Sequence, residues 1–423
     1  MEYIKRYDNG LRLVVKPAES LSVAAGIFVN VGSGDETKEQ NGISHFAEHM
    51  LFKGTKTRSP FEITDSIERI GAQINAYTSK ECTCYYTKST VDHTEETLEI
   101  LSDIFFNSTF RPEEIERERG VVLEEIAMTE DTPDDLCMEL IGKSYFGAHP
   151  LGYTILGEAD TVANFSRDSV LNHTDNYYNS ANTAIVMAGR ITFEDAQKFT
   201  EKYFLKNFKK SGKPCIKPKA HVSKTNFIYR AKDIEQANIC LAFPYVQFDD
   251  ADTDAYSLLN SILGGTMSSR LFQKIREELG LAYSVHSFPA SYVNNGLLTI
   301  FAGVNYENLE TTIENILNEI EVFKNKGVTK DEFLRAKEQS RSSLIFGQEN
   351  MSSVMNAYGK YLILTDKLFS IDNKYENIGK LDYDKVNGLC SEMLELQKLC
   401  VSFVGKEEYA QKLKNLVNKF CLQ

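Results

Sequence analysis

The chain has 423 residues, enough for two or three domains at about 100–200 residues each. Its 42% hydrophobic and 25% charged residues exclude disorder, collagen and coiled coil as the main architecture. With 60 acidic against 47 basic residues, a net charge of −13, it is ill suited to gripping a phosphate backbone; nucleic acid is not an expected partner, and basic peptides are better tolerated.

The first residues, MEYIKRYDNGLRLVVKP, predict an edge strand, a turn at Asn9-Gly10 and a second strand. They hold no apolar region of the kind a signal peptide needs. No stretch reaches the ~18 consecutive apolar residues that span a bilayer, so a cytoplasmic protein without a membrane partner is expected. SVAAGIFVNV (22–31) is a strand-like run, and GISHFAEHMLF (42–52) is helix-like with Ser44 as a cap near its start. INAYTSKECTCYY (74–86) reads as an alternating strand that places Cys82 and Cys84 on one face. The eight cysteines contain no C-x-x-C and predict reduced thiols. Residues 206–224 hold Lys206, Lys209, Lys210, Lys213, Lys217 and Lys219 with Pro214 and Pro218, which predicts an exposed linker.

That linker falls near the midpoint, and the two halves resemble each other. ANICLAFPYV (237–246) matches the run at 22–31, and Gly265-Thr266 follows it as Gly54-Thr55 follows the first. IGAQINAYT (70–78) matches LGLAYSVHS (279–287), and ETLEILSDIFF (96–106) matches TTIENILNEIEVF (311–323). The expected organisation is two related domains, 1–205 and 225–423, joined by 206–224. A residue needed only for packing should recur in both halves; one present in a single half is a candidate for chemistry.

His45, Glu48 and His49 satisfy that test. Positions i, i+3 and i+4 share one helix face, so the three point one way while Ile43, Phe46, Ala47 and Met50 form the core face. Two imidazoles one turn apart can converge on a Zn²⁺ ion. A carboxylate beside them is placed to take a proton from the attacking water. The matching stretch of the second half, SLLNSILGGTMSS (257–269), has no histidine. The order H-x-x-E-H is the inverzincin signature.

The sequence resembles the pitrilysin, insulin-degrading-enzyme and mitochondrial-processing-peptidase family, and in size and layout the bacterial processing proteases. The resemblance runs through NGISHFAEHMLFKGT (41–55), INAYTSKECTCYY, RERGVVLEEI (117–126), HPLGYTILG (149–157) and the Gly-Leu-Ala-Tyr region of the second half. It implies an α+β fold of two similar domains, each a mainly antiparallel sheet with helices packed on one face, forming half of a closed chamber. It also implies one Zn²⁺ per chain, with a third ligand downstream for which Glu124 and Glu125 compete. At roughly 100° per residue, Glu125 falls within the apolar arc that runs from Val121 through Val122 and Ile115 to Ile126, and Glu124 falls on the polar face beside Glu113, Arg117 and Gly120; Glu125 is the expected ligand. Glu118 resembles the family glutamate that orients a histidine ligand. Asn75, Ala76 and Tyr77 are the positions expected to pair with substrate backbone. Arg276 and Tyr283, split by Gly280, are expected to hydrogen-bond the substrate carbonyl and the developing oxyanion, with Arg270 as an alternative donor. His149 is mainly structural. The implied activity is a zinc endopeptidase acting on short or unfolded peptides in a homodimer, with Glu48 as its base. The alternative is an inactive or partner-dependent structural subunit.

Overall fold

The computed structural model describes residues 2–208, 212–220 and 226–421. The chain forms two compact units, each discontinuous in sequence. The first comprises Met1–Ile126, Thr154–Lys217 and Ile345–Ser370; the second comprises Ala127–Tyr153, Pro218–Leu344 and Ile371–Gln423.

The first unit is built on strands β1 (Tyr3–Arg6), β2 (Arg12–Pro17), β3 (Ser22–Val29), β4 (Gln73–Thr78), β5 (Thr83–Thr90) and β6 (Thr183–Gly189). Their order is β1-β2-β6-β3-β5-β4, antiparallel except for β2 beside β6. The second is built on β7 (Asn226–Ala231), β8 (Gln236–Pro244), β9 (Ala282–Tyr292), β10 (Asn295–Asn305) and β11 (Cys400–Gly405), in the order β7-β11-β8-β10-β9. Here too one pair, β7 beside β11, is parallel. Leaving out β1, the two sheets have the same order and the same sense at every pairing. The repeat read from the sequence is therefore a repeat of topology, and the α+β architecture of two similar domains is the one observed.

One feature of the layers is additional. Alternate residues of β3, Val23, Ala25, Ile27 and Val29, join a core with helix residues such as Phe46, Met50, Leu101 and Ile104. The intervening residues face a helix from the other half of the sequence, Met351–Thr365: a Cβ on Gly26 would lie 2.9 Å from Met355 Sδ. In the second unit the reciprocal helix, Pro133–Phe146, seats Leu136, Cys137 and Leu140 against Cys240, Ala242, Cys400 and Val404. Each sheet therefore carries most of its helices on one face and one exchanged helix on the other. Burial on both faces explains why β3 is apolar from Val23 to Val29. Gly359 marks the closeness of the fit, since a Cβ there would lie 2.2 Å from the fully buried Phe28 ring. Gly359→Ala gains about 1 kcal/mol in helix propensity, but overpacking costs about 1–3 kcal/mol. The expected result is a lower urea midpoint; a raised one would contradict this packing.

Two local expectations are corrected. INAYTSKECTCYY is two strands rather than one: β4 ends at Thr78, residues 79–82 turn, and β5 begins at Thr83, with β4 at the sheet edge. Ser79, whose amide donates to Cys82 O and whose hydroxyl accepts from the Cys82 amide, closes the turn. Cys82 and Cys84 are buried, and the cysteines of the described residues form no disulfide. The lysine-rich segment is not simply an exposed linker. Lys217 is buried, its Nζ 2.6 Å from both Asp35 Oδ2 and Glu81 O, and Asn30 and Asn182 side chains bond the backbone of Cys215. Composition shows only that such a segment cannot build a core; it does not show that one lysine finds a buried carboxylate. Lys209, Lys210 and His221 lie outside the described residues.

Candidate metal centre

Helix α1 (Ile43–Leu51) positions the site. Ile43, Phe46, Ala47 and Met50 are at most 1% exposed. Full burial is worth about 1.5–3 kcal/mol for each large side chain, enough to fix the helix's rotation and so the direction of His45, Glu48 and His49. The helix begins differently from expectation. Gly42 is the N-cap, with φ 97, and its Cα comes so close to the loop at Gly157 that a Cβ would lie 2.7 Å from Gly157 Cα. Ser44 does not cap: its amide donates to Glu36 Oε1 (2.8 Å), and Gly42 N and Asn41 Nδ2 donate to Glu36 Oε2 (2.7 and 3.1 Å). A buried carboxylate at a helix N-terminus meets free N–H groups and the positive end of the dipole. Burial still dominates and pushes the Glu36 pKa up to about 7. No local motif reveals this residue.

Helix α2 (Pro60–Arg69) and helix α3 (Thr94–Asn107) cover the sheet, and α4 (Pro112–Asp131) brings the remaining carboxylates. Glu125 Oε2 lies 3.8 Å from both His45 Nε2 and His49 Nε2, and the donor atoms of the three residues all lie within 4.8 Å of one another. Donors at the ~2.0–2.1 Å bond lengths of a tetrahedral zinc site sit about 3.4 Å apart. The observed separations approach that spacing and are too long for hydrogen bonds, so the donor set fits a cation. Glu124 is exposed and takes no part. The expectation that Glu125 lies in a buried arc needs correction: Ile115, Glu118 and Val122 are buried, but Val121 is 42% exposed and the Glu125 side chain 37%. At Glu125 this face of α4 meets the histidines rather than the hydrophobic core.

Glu118, 2% exposed, accepts from or shares a proton with His49 Nδ1 at 2.8 Å, and Lys53 Nζ lies 2.6 Å from its other oxygen. Burial opposes charge on both His49 and Glu118. The hydrogen bond between them, reinforced by Lys53 on the acid and by Glu125 on the imidazole, prevails: the His49 pKa is raised and that of Glu118 lowered. His45 behaves oppositely. Its Nδ1 is buried with no hydrogen-bond partner, and burial and His49 push its pKa down to about 3, leaving a neutral ring with a lone pair to offer. Lys53 carries no local sequence signal: it lies beyond the end of α1 at Leu51, and its partner Glu118 comes from α4.

Glu48 is buried beside the cluster and accepts a 2.5 Å hydrogen bond from Thr78 Oγ1 at the end of β4. Burial, and then the Glu125 charge, raise its pKa against the opposing pull of Thr78 and His49. Strand alternation with Ile74 and Ala76 could have placed Thr78 on the α1 side. Of the three residues expected on the edge strand, Asn75 is exposed and its Oδ1 accepts from Ala76 N at 2.8 Å. Tyr77 points to the other face, where its hydroxyl donates to Asn356 of the exchanged helix at 3.0 Å. Its side chain is an anchor for the strand.

Arg276 and Tyr283 belong to the second unit. A helical segment ends at Glu278, Gly280 has φ 61, and β9 begins at Ala282. The Arg276 guanidinium stacks on the Phe272 and Tyr283 rings at 4.9 and 5.2 Å, and Tyr283 is 78% exposed. Arg270 is already committed: it pairs with both oxygens of Glu332 and with Gly327 O. His149 Nδ1 accepts from Leu151 N and caps a short turn in the second unit, as its structural reading implied. His173 is buried, and its pKa is pushed down to about 4 by that burial. Among the described residues no helix is long and apolar enough to cross a membrane.

Known proteins with this sequence pattern agree on its kinship. The profile of Insulinase (Peptidase family M16) matches residues 13–159, and that of the Peptidase M16 inactive domain matches residues 164–340. A Bacillus subtilis protein named uncharacterized zinc protease YmxG is 41% identical over 92% of this chain and 95% of its own length. An uncharacterized zinc protease of Rickettsia felis is 36% identical over 90% of this chain and 92% of its own. A protease from Helicobacter pylori superposes with a TM-score of 0.88 at 22% identity, covering 96% of this chain and 99% of that one. The Pseudomonas fluorescens peptidase M16 inactive domain superposes at 0.89 and 19% identity, covering 96% and 98%. Those two structures bear on the fold alone, whereas the full-length relatives bear on descent. An inverted histidine–glutamate motif on a helix, in a chain aligned almost end to end with such relatives, belongs to peptidase family M16, the insulinase family.

Proposed function

We propose that this chain is a zinc-dependent endopeptidase that hydrolyses short or unfolded peptides, basic ones included, as a homodimer enclosing a chamber. The observation that carries the reading is the convergence of His45, His49 and Glu125 from two helices, with Glu48 buried alongside. A zinc ion held by these three supplies Lewis acidity. The remaining work falls to the chain's own groups. Glu118 and Lys53 hold His49 in one orientation. Glu48, its Oε2 engaged by Thr78, takes the water proton on Oε1 and returns it to the leaving amine; raised basicity suits it to that task. The open edge of β4 pairs with the peptide backbone, which replaces the Asn75 side chain at Ala76 N–H. Arg276 and Tyr283 are the proposed donors to the oxyanion, in cis or from the second protomer.

The test is purification of the chain alone, metal analysis and a panel of quenched peptides. One zinc per chain is expected, with cleavage that a chelator abolishes and added zinc restores. Zinc-loaded protein that cleaves nothing alone, but does so with another chain, would replace this reading with that of a partner-dependent subunit.

A further inference from the structure

The hydrogen bond from β4 to Glu48 has a counterpart in the second unit. There Ser287 of β9 donates to Asn260 Oδ1 at 2.7 Å. Asn260 closes the helix Thr253–Asn260, the topological equivalent of α1, and β9 is the equivalent of β4 at the edge of its sheet. Both units therefore tie the edge strand to the same helix through a strand hydroxyl. The acceptors differ: a neutral amide in the second unit, a buried carboxylate in the first. An amide suffices for the tie, and burying a charge there adds a desolvation cost that packing does not require. The tie is a device of the fold, and the charge is the addition.

We propose that Thr78 is a positioning residue that uses this tie to fix which oxygen of Glu48 faces the attacking water. The inference rests on the peptidase reading above. The 2.5 Å separation lies at the short end for a hydroxyl bonded to a carboxylate. It immobilises Oε2 and leaves Oε1 as the proton acceptor. The strand is itself held from three sides: Ile74 and Ala76 pack against the core, Tyr77 bonds Asn356 on the opposite face, and β5 pairs along one edge. Ala76 and Thr78 stand two residues apart on this strand. The element that would set the register of a bound peptide therefore also sets the orientation of the base, and the scissile carbonyl and the proton acceptor share one frame.

The test compares Thr78→Val, which keeps the shape and loses the donor, with Thr78→Ser, which keeps the donor. In the zinc-loaded full-length protein, Thr78→Val is expected to lower kcat by roughly 10- to 100-fold, the scale on which a displacement of about 1 Å acts. KM and zinc content should change little, and Thr78→Ser should stay within about threefold of wild type. A second readout needs no activity. In metal-free protein, Thr78→Val should lower Tm when Glu48 is present but not in a Glu48→Met background. Equal losses in the two Thr78 variants, a change confined to KM, or additive Tm shifts would each overturn the proposal while leaving the peptidase reading intact. A wild-type chain that binds zinc and cleaves nothing would bring down both.

Discussion

Glu48→Gln is expected to lower peptide hydrolysis by about 10²- to 10⁴-fold, the usual contribution of a general base, with zinc content unchanged. The substitution preserves shape, and the glutamine carbonyl can still accept from Thr78 Oγ1, so the end of β4 keeps its partner. The position of α1 depends on Ile43, Phe46, Ala47 and Met50, which the change does not touch. Removing the charge relieves both its burial and its repulsion with Glu125, the two effects that raise the Glu48 pKa. The variant should therefore be at least as stable as wild type, in keeping with the cost that buried charges impose. Measuring kcat/KM, bound zinc and Tm on the same preparation separates the possibilities. Activity above a tenth of wild type would remove Glu48 from the role of base, and loss of zinc would make it a ligand instead.

Glu118→Gln should weaken zinc binding by roughly 10- to 100-fold, the range found when a partner of a histidine ligand is removed. Glu118 contributes no atom to the donor cluster of His45, His49 and Glu125. It acts at the far nitrogen of His49, whose Nδ1 it engages at 2.8 Å while Lys53 sits at 2.6 Å from its other oxygen. A carboxylate accepts from both partners at once. An amide offers one acceptor and turns an NH₂ group toward either the imidazole or the ammonium, so the ring loses the charge that directs its Nε2 lone pair at the metal. The side chain of Lys53 is 29% exposed, so water can take over its solvation and the fold should survive. Competition with a chelator of known affinity gives the measurement. Glu124→Ala, on the exposed face of the same helix, should leave the affinity where it was. An unaltered affinity in Glu118→Gln would mean that His49 is held by α1 alone.

The parts of this site that were legible are those encoded by local periodicity. His45, Glu48 and His49 share a face because a helix repeats every 3.6 residues, and Ile43, Phe46, Ala47 and Met50 take the core for the same reason. That periodicity together with the family resemblance favours Glu125 over Glu124, although a helical wheel buries a side chain that is 37% exposed. It treats every neighbour of an apolar residue as facing core, and cannot show that a stripe passes from the core to the histidine cluster along its length. The turn at residues 79–82 escaped because Ser79, Lys80 and Glu81 break the alternation too briefly to announce a hairpin.

What the sequence determined by itself was the repeated architecture and the one helix face bearing two imidazoles and a carboxylate, since both arise from spacing within short segments. Tertiary structure decided the rest: that Glu36 reaches across to the start of α1, that Lys217 buries against Asp35, that Thr78 meets Glu48, and that each sheet borrows a helix from the other half of the chain. These are contacts between residues far apart in sequence or on separate elements. Each forms because a buried polar group must find a partner, or an apolar face a cover, and which partner is near depends on how the whole chain closes.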